Sequence, residues 1–172
     1  SFGVGERLIT SYSSPVLDGV YKLSALEEPD GTIVPKIKIS ENVQKITNPG
    51  AKKVYRLYDK TTGKAEADVI TLQDEIIDGS EPYLLFDPDY TWKQKTLTNF
   101  VAKPLLEPLF VAGECVYQRK TLQELQAFCK EQVGTLWNEM LRFEHPHRYY
   151  VDLSQKLWDT KYELLKEHST RK

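Results

Sequence analysis

Two features of this sequence have the residue types that bind anions. The first is the turn Gly3-Val4-Gly5, near the start of the chain. Because glycine lacks a β-carbon, its backbone adopts positive φ angles and lets a ligand approach the peptide N–H groups. Consecutive N–H groups in such a turn form a concave site that suits a phosphate. A tight turn without any ligand needs the same residues, so the tripeptide alone leaves both interpretations open.

The second feature is a set of lysine and hydroxyl side chains in the first third of the chain. Strand alternation in the segment VPKIKIS would place Lys36, Lys38 and Ser40 on one face. Lys22, Lys45 and Thr47 flank this segment. Like charges about 4 Å apart repel by a few kcal/mol, whereas each hydrogen bond to a phosphate returns roughly 1.5–3 kcal/mol. The alternative is a solvated lysine face that protects an edge strand from aggregation.

Other reactive residues give weaker signals. His145 and His147 could both ligate a metal, but no third ligand is near in sequence, and the intervening proline suits a helix end. Cys115 and Cys129 lack the paired spacing of a zinc site, so we expect them to be reduced core residues. The sequence shows no nucleophile elbow or Ser/His/Asp arrangement. These residues alone do not make a complete active site.

Composition limits the possible classes of protein. The 172 residues carry a net charge of −2, which argues against nucleic-acid binding by bulk electrostatics. The charge is uneven, since residues 32–58 contain six basic side chains and one acidic one. No apolar run approaches the ~18 residues that span a bilayer, so a soluble, cytoplasmic protein without a membrane partner is expected.

The N-terminal half has the pattern of strands and turns. Residues 20–26 and 32–40 predict a hairpin around Asp30-Gly31, with Pro35 at an edge or bulge. A loop or single helical turn follows, and then a second hairpin is predicted from residues 54–59 and 64–72. Residues 73–97 predict little regular structure beyond YLLF. The apolar runs of LLEPLFVAGECVY predict short strands or connectors.

The last third changes to helical periodicity. Apolar residues at steps of three and four predict one helix over residues 121–143, and Thr121 with Glu124 forms a capping-box signal. A second helix is predicted after the segment EHPH, with Ser154 as its N-cap. The tryptophans of these helices are expected to pack in the core. The fold class is therefore α+β, with antiparallel strands followed by a helical pair.

The order of these segments resembles one enzyme family. FGVGERLITS, DGVYKL and PKIKISENVQKITNPGAKKVYRLYD are similar, in this order, to the C-terminal part of nicotinate phosphoribosyltransferases. The remaining residues resemble the appended C-terminal domain of the bacterial enzymes. The middle block is the most specific part of this likeness, with K-x-S, K-x-T-x-P-G and Y-R-L-Y in succession.

The resemblance implies a fold and an activity. Such enzymes form nicotinate mononucleotide and pyrophosphate from nicotinate and phosphoribosyl pyrophosphate, with coupled ATP hydrolysis and assistance from Mg²⁺. It implies that residues 1–19 end an incomplete α/β barrel, that residues 20–72 form a strand-rich basic segment, and that residues 73–172 form a C-terminal domain. A homodimer with shared active sites is implied as well. The catalytic histidine segment would lie upstream, so the chain is expected to be an inactive fragment of the enzyme.

The resemblance also implies site residues. The phosphate turn would be Gly3 to Glu6, with Gly5 contributing N–H groups and the Glu6 carboxylate pointing away from the anion. The matching phosphate-channel positions are Lys22, Lys38 and Lys45, with Ser40 and Thr47 as hydroxyl donors. Asp18 replaces a glycine that is common in the family element. The alternative function is a non-catalytic module that binds polyphosphate or nucleotide, or that mediates dimerisation.

Overall fold

The structure is a computed structural model that describes residues 19–169. Its strands are β1 (Ala25–Glu27), β2 (Ile33–Pro35), β3 (Lys52–Asp59), β4 (Ala65–Leu72), β5 (Tyr83–Phe86), β6 (Gln94–Leu97), β7 (Phe100–Pro104), β8 (Phe110–Val111), β9 (Glu114–Cys115) and β10 (Tyr150–Leu153). Its α-helices are α1 (Leu122–Gly134) and α2 (Gln155–Ser169), and short 3₁₀ turns cover Val43–Lys45 and Asn138–Met140. This mixture confirms the predicted α+β class.

The centre of the fold is a four-stranded sheet in the order β10-β4-β3-β7. The β3–β4 hairpin confirms the second predicted hairpin, and its eight-residue strands pair antiparallel. Strand β10 pairs parallel with β4, so the sheet is mixed rather than wholly antiparallel. One face carries the core, in which Leu57, Val69 and Phe100 are almost fully buried. Leu85 and Leu97 of the β5–β6 hairpin cover that face.

Helix α2 joins the sheet directly after β10. The Ser154 hydroxyl accepts from the Leu157 amide at 3.2 Å and donates to the Glu75 carboxylate at 2.7 Å, which confirms the predicted N-cap. Leu157 is fully buried beside β4. The Trp158 indole donates to the Pro88 carbonyl at 3.1 Å, as expected for a packed tryptophan.

Three local predictions are wrong. The first hairpin forms around Asp30-Gly31, but its predicted extent is wrong: its strands have three residues each, and the pairing ends one residue beyond Pro35, where the Lys36 amide donates to the Ser24 carbonyl. The first helix ends at Gly134 rather than continuing to residue 143, and Thr135 caps it through the Gln132 carbonyl. Strand β6 was not expected, because the segment is rich in turn residues.

The two cysteines are also placed differently from the prediction. Cys115 in β9 and Cys129 in α1 are both exposed rather than buried in the core. The segment that contains them has no covering layer within residues 19–169. Their hydrophobic character alone therefore did not predict their burial. No helix in this part of the chain is long and apolar enough to cross a membrane.

Candidate phosphate-binding loop

The predicted basic residues lie in and around a loop that connects β2 to β3. We call residues 36–50 the basic loop. The Lys36 amide donates to the Ser24 carbonyl at 2.8 Å, which is the last bond of the β1–β2 hairpin. Beyond this point the chain leaves the sheet, so strand alternation does not apply to Lys38 and Ser40.

The loop closes on itself through two predicted site residues. The Lys38 amide donates to the Thr47 hydroxyl at 2.9 Å, and the Thr47 amide donates back to the Lys38 carbonyl at 3.3 Å. Between them, the Ser40 hydroxyl accepts from the Asn42 amide at 3.3 Å, and Asn42 caps the 3₁₀ turn that ends at Lys45. Because a hydroxyl that accepts one hydrogen bond still carries a proton, Ser40 and Thr47 remain able to donate.

The lysine side chains of the loop are available to an anion. Lys38 and Lys45 are exposed, and their ammonium groups have no hydrogen-bond or salt-bridge partner within residues 19–169. Glu41 remains the one carboxylate of the basic loop. Two other cations of the basic segment are paired, since Arg56 binds Asp68 and Lys52 donates to the Gly50 carbonyl at 2.6 Å. Burial lowers the pKa of Lys52. The basic loop therefore holds at least two unpaired ammonium groups, those of Lys38 and Lys45.

Lys22 lies in an irregular, exposed stretch just before β1. Ser24, two residues later, accepts backbone hydrogen bonds from both Lys36 and Gly50 at the base of the loop. The structure thus brings the backbone of Lys22 near the base, but it records no contact between its side chain and those of Lys38 or Lys45. Gly3, Gly5 and Glu6 lie outside the described residues.

Helix α2 holds the C-terminal end of the loop. The Lys161 ammonium donates to the Asn48 side-chain oxygen at 2.9 Å, and burial lowers the pKa of Lys161. Pro49 and Gly50 are buried next to this contact. Earlier in the basic loop, Ile39 lines a cleft of about 570 Å³ together with Tyr162 of α2. Sequence reasoning missed Asn48 and Lys161 as positioning residues, because 113 positions separate them and each looks like an ordinary polar residue.

Gly50 shapes the end of the loop through its left-handed backbone, with φ of +87°. A β-carbon there would lie 2.6 Å from Leu72 Cδ2. We expect Gly50→Ala to lower the free energy of unfolding by about 1–2 kcal/mol, because alanine pays for the left-handed conformation and Leu72 must also move.

Chemical denaturation measures this effect. Gly63→Ala is the matched control, because Gly63 also has positive φ but has open space where a β-carbon would stand. A loss for Gly50→Ala no greater than the loss for Gly63→Ala would show that the contact with Leu72 is unimportant.

Metal binding is not supported in this part of the molecule. Among residues 19–169, no group of three or more His, Cys, Asp or Glu side chains is arranged to hold a metal ion. His145 and His147 therefore lack a third ligand in the structure as they do in the sequence. The described residues offer cations and hydroxyls to phosphate oxygens, and we assign no Mg²⁺ ligand to them.

Comparison with known proteins identifies the family. A family model described as the nicotinate phosphoribosyltransferase C-terminal domain matches residues 51–161. The chain is 41% identical over 170 residues to nicotinate phosphoribosyltransferase of Bacillus subtilis (strain 168), across 99% of this chain and 34% of that protein. It is 33% identical over 160 residues to that of Caenorhabditis elegans, across 92% of this chain and 27% of that protein.

A solved structure agrees with these sequence matches. The crystal structure of human nicotinic acid phosphoribosyltransferase matches with a TM-score of 0.62 and 25% identity, over 69% of this chain and 24% of that chain. The α+β fold is thus similar to part of a phosphoribosyltransferase. The chain belongs to the nicotinate phosphoribosyltransferase C-terminal domain family. It spans about a third or less of the length of the relatives that it matches.

Proposed function

We infer that this chain is the C-terminal part of a nicotinate phosphoribosyltransferase of NAD salvage. The complete enzyme would form nicotinate mononucleotide and pyrophosphate from nicotinate and phosphoribosyl pyrophosphate. The family match supports the reaction, and the self-closed basic loop with two free ammonium groups supports a role in phosphate binding. The segment for the catalytic histidine was not found in the sequence, so the chain alone is expected to be inactive.

Within this proposal, the chain supplies charge and hydrogen bonds rather than bond-breaking groups. Lys38 and Lys45 would neutralise phosphate oxygens of phosphoribosyl pyrophosphate, while Ser40 and Thr47 donate hydrogen bonds. Lys22 and the turn of Gly3, Gly5 and Glu6 belong to the same proposed site. Mg²⁺ would neutralise phosphate oxygens elsewhere in the enzyme, and coupled ATP hydrolysis would supply free energy to the reaction. We also propose a cytoplasmic homodimer, in which the basic loop could serve the partner's active site.

The test uses a chimera in which this chain replaces the C-terminal third of the Bacillus subtilis enzyme. We expect Lys38→Ala to raise the KM for phosphoribosyl pyrophosphate about tenfold, because one charge-assisted hydrogen bond contributes roughly 1.5–3 kcal/mol. The KM for nicotinate should change much less. Steady-state measurement of pyrophosphate release gives both constants.

Lys60→Ala is the matched control, since Lys60 is an exposed lysine in the β3–β4 turn, outside the basic loop. An unchanged KM for phosphoribosyl pyrophosphate in Lys38→Ala would show that Lys38 does not contribute to binding phosphoribosyl pyrophosphate.

Calorimetric titration of the isolated chain with pyrophosphate or ATP tests the alternative function. Tight one-to-one binding without the rest of the enzyme would favour a self-sufficient polyphosphate- or nucleotide-binding module.

A further inference from the structure

One long segment of the domain has no covering layer among the described residues, 19–169. Every residue from Lys103 to Glu131 is exposed, and Val133 is exposed too. We call residues 103–133 the apolar arm. It begins at the end of β7, passes through the β8–β9 hairpin and includes nearly all of α1. Of the α1 residues, Gln132 alone is partly buried.

The apolar arm exposes many large hydrophobic side chains. They are Leu105, Leu106, Leu109, Phe110, Val111, Val116, Tyr117, Leu122, Leu125, Phe128 and Val133. At roughly 80 Å² each, about half of a large apolar side chain, they expose on the order of 900 Å². The largest contiguous apolar patch of a monomeric protein is typically ~300–600 Å², and the apolar area that the arm exposes in total exceeds this range. The arm therefore has the character of a surface that another polypeptide covers.

Helix α1 has an amphipathic pattern without a matching surface in the described residues. Leu122, Leu125 and Phe128 are 66%, 44% and 52% exposed. The domain holds the helix by polar contacts at its C-terminal end, where the Lys64 ammonium donates to the carbonyls of Gly134 and Leu136 at 2.8 and 2.9 Å. A 13-residue helix is marginal in water without tertiary packing. Its apolar face thus needs a partner.

The central sheet does not offer that partner. Its core face is covered by the β5–β6 hairpin, and α2 lies against β4. The relatives supply a polypeptide long enough, because this chain spans 34% of the Bacillus subtilis enzyme and matches the C-terminal domain of the family. A segment in the same chain has an effective concentration of about millimolar, so it outcompetes a second copy for the same face.

We propose that the apolar arm is the surface onto which the preceding part of the nicotinate phosphoribosyltransferase polypeptide packs. This inference rests on the proposed function. The arm carries four basic and four acidic residues, so charge neither attracts nor repels the covering segment strongly. The contact is therefore apolar, and α1 is its centre.

Amide hydrogen exchange tests the proposal without using catalytic activity. We expect amides of α1 to exchange at least tenfold more slowly in the full-length chimera than in the isolated chain, at every protein concentration. The unmodified Bacillus subtilis enzyme, measured over the aligned segment, should show the same protection. Protection of α1 with an inactive chimera would uphold the interface while counting against the proposed activity.

Two variants sharpen the test. Leu125→Ser with Phe128→Ser should lower the Tm of the chimera and restore fast exchange in α1, but leave the Tm of the isolated chain unchanged. Gln123→Ser, on the polar face of α1, should do neither. Equal exchange of α1 in chimera and isolated chain would overturn the proposal. So would protection that appears in the isolated chain and grows with its concentration, since that result would assign the face to a second copy.

Discussion

Replacing Asp68 with alanine is expected to lower the free energy of unfolding by about 3 kcal/mol. Asp68 lies in β4 and receives two hydrogen bonds from Arg56, at 2.7 and 2.9 Å, and a third from the Tyr149 hydroxyl at 2.8 Å. Asp68 is 8% exposed. The variant would leave a partly buried guanidinium without its carboxylate, and this uncompensated charge dominates the cost.

The surrounding groups show why this network is sensitive. Hydrogen bonding to Asp68 raises the pKa of Arg56, so its charge cannot be relieved by losing a proton. Burial, together with the hydrogen bond to Asp68, raises the pKa of Tyr149, which therefore stays a neutral donor. The network links β3, β4 and the segment before β10. Its loss should weaken the pairing of β10 with the sheet.

Urea denaturation of the isolated chain measures the effect. The double variant Arg56→Met with Asp68→Ala should recover much of the loss, because it removes the unpaired cation as well. Asp74→Ala is the control, since the Asp74–Lys156 pair is exposed on both sides and should contribute nothing resolvable. If Asp68→Ala and Asp74→Ala behaved alike, the Arg56–Asp68 pair would not stabilise the fold.

The features that could be predicted from the sequence are those that short segments specify. The turn at Asp30-Gly31, the β3–β4 hairpin, the 3₁₀ turn in the basic loop and the cap at Ser154 all follow from neighbouring residues. The capping box is confirmed, because the Thr121 hydroxyl accepts from the Glu124 amide and the Glu124 carboxylate accepts from the Thr121 amide. Each depends on hydrogen bonds between residues at most 20 positions apart, so local pattern was sufficient.

Long-range packing decides the remaining features. Strand β10 pairs with β4 some 80 positions earlier, and nothing in YVDL distinguishes a strand from the start of the next helix. The predicted alternation of Lys36, Lys38 and Ser40 failed because the chain leaves the β1–β2 ladder after Lys36. Lys38 and Lys45 nevertheless lie on one closed loop, because Thr47 joins the end of the loop to Lys38. The cysteines and α1 were expected in the core because an apolar pattern does not tell which polypeptide will cover it.

Asp152→Asn is expected to stabilise the protein at pH 8 by about 1–3 kcal/mol. Asp152 in β10 is 4% exposed, lines a cavity of about 220 Å³ and has no hydrogen-bond partner for its carboxylate within residues 19–169. Burial raises the pKa of Asp152 to about 6, the nearby Asp87 carboxylate adds to this rise, and Arg148 opposes it. Ionised Asp152 therefore weakens the native state.

The pH dependence of the stability follows from the raised pKa of Asp152. The folded state binds the proton more tightly than the unfolded state, whose aspartate has a pKa near 3.8. The destabilisation by Asp152 is thus fully present above about pH 6 and is lost as the pH falls towards 4. We expect the stability advantage of Asp152→Asn to shrink over this range and to vanish at lower pH. Glu66, Lys93 and Lys95 line the same cavity and are unchanged in the variant.

Urea denaturation of both proteins between pH 4 and pH 8 tests the prediction. Asp159→Asn is the control, because Asp159 is exposed on α2 and its oxygen can still accept from Gln155. A stability difference between wild type and Asp152→Asn that is constant across this pH range would mean that Asp152 ionises at its ordinary pKa. A wild type more stable than Asp152→Asn at pH 8 would reverse the sign, and the carboxylate would then have a favourable partner.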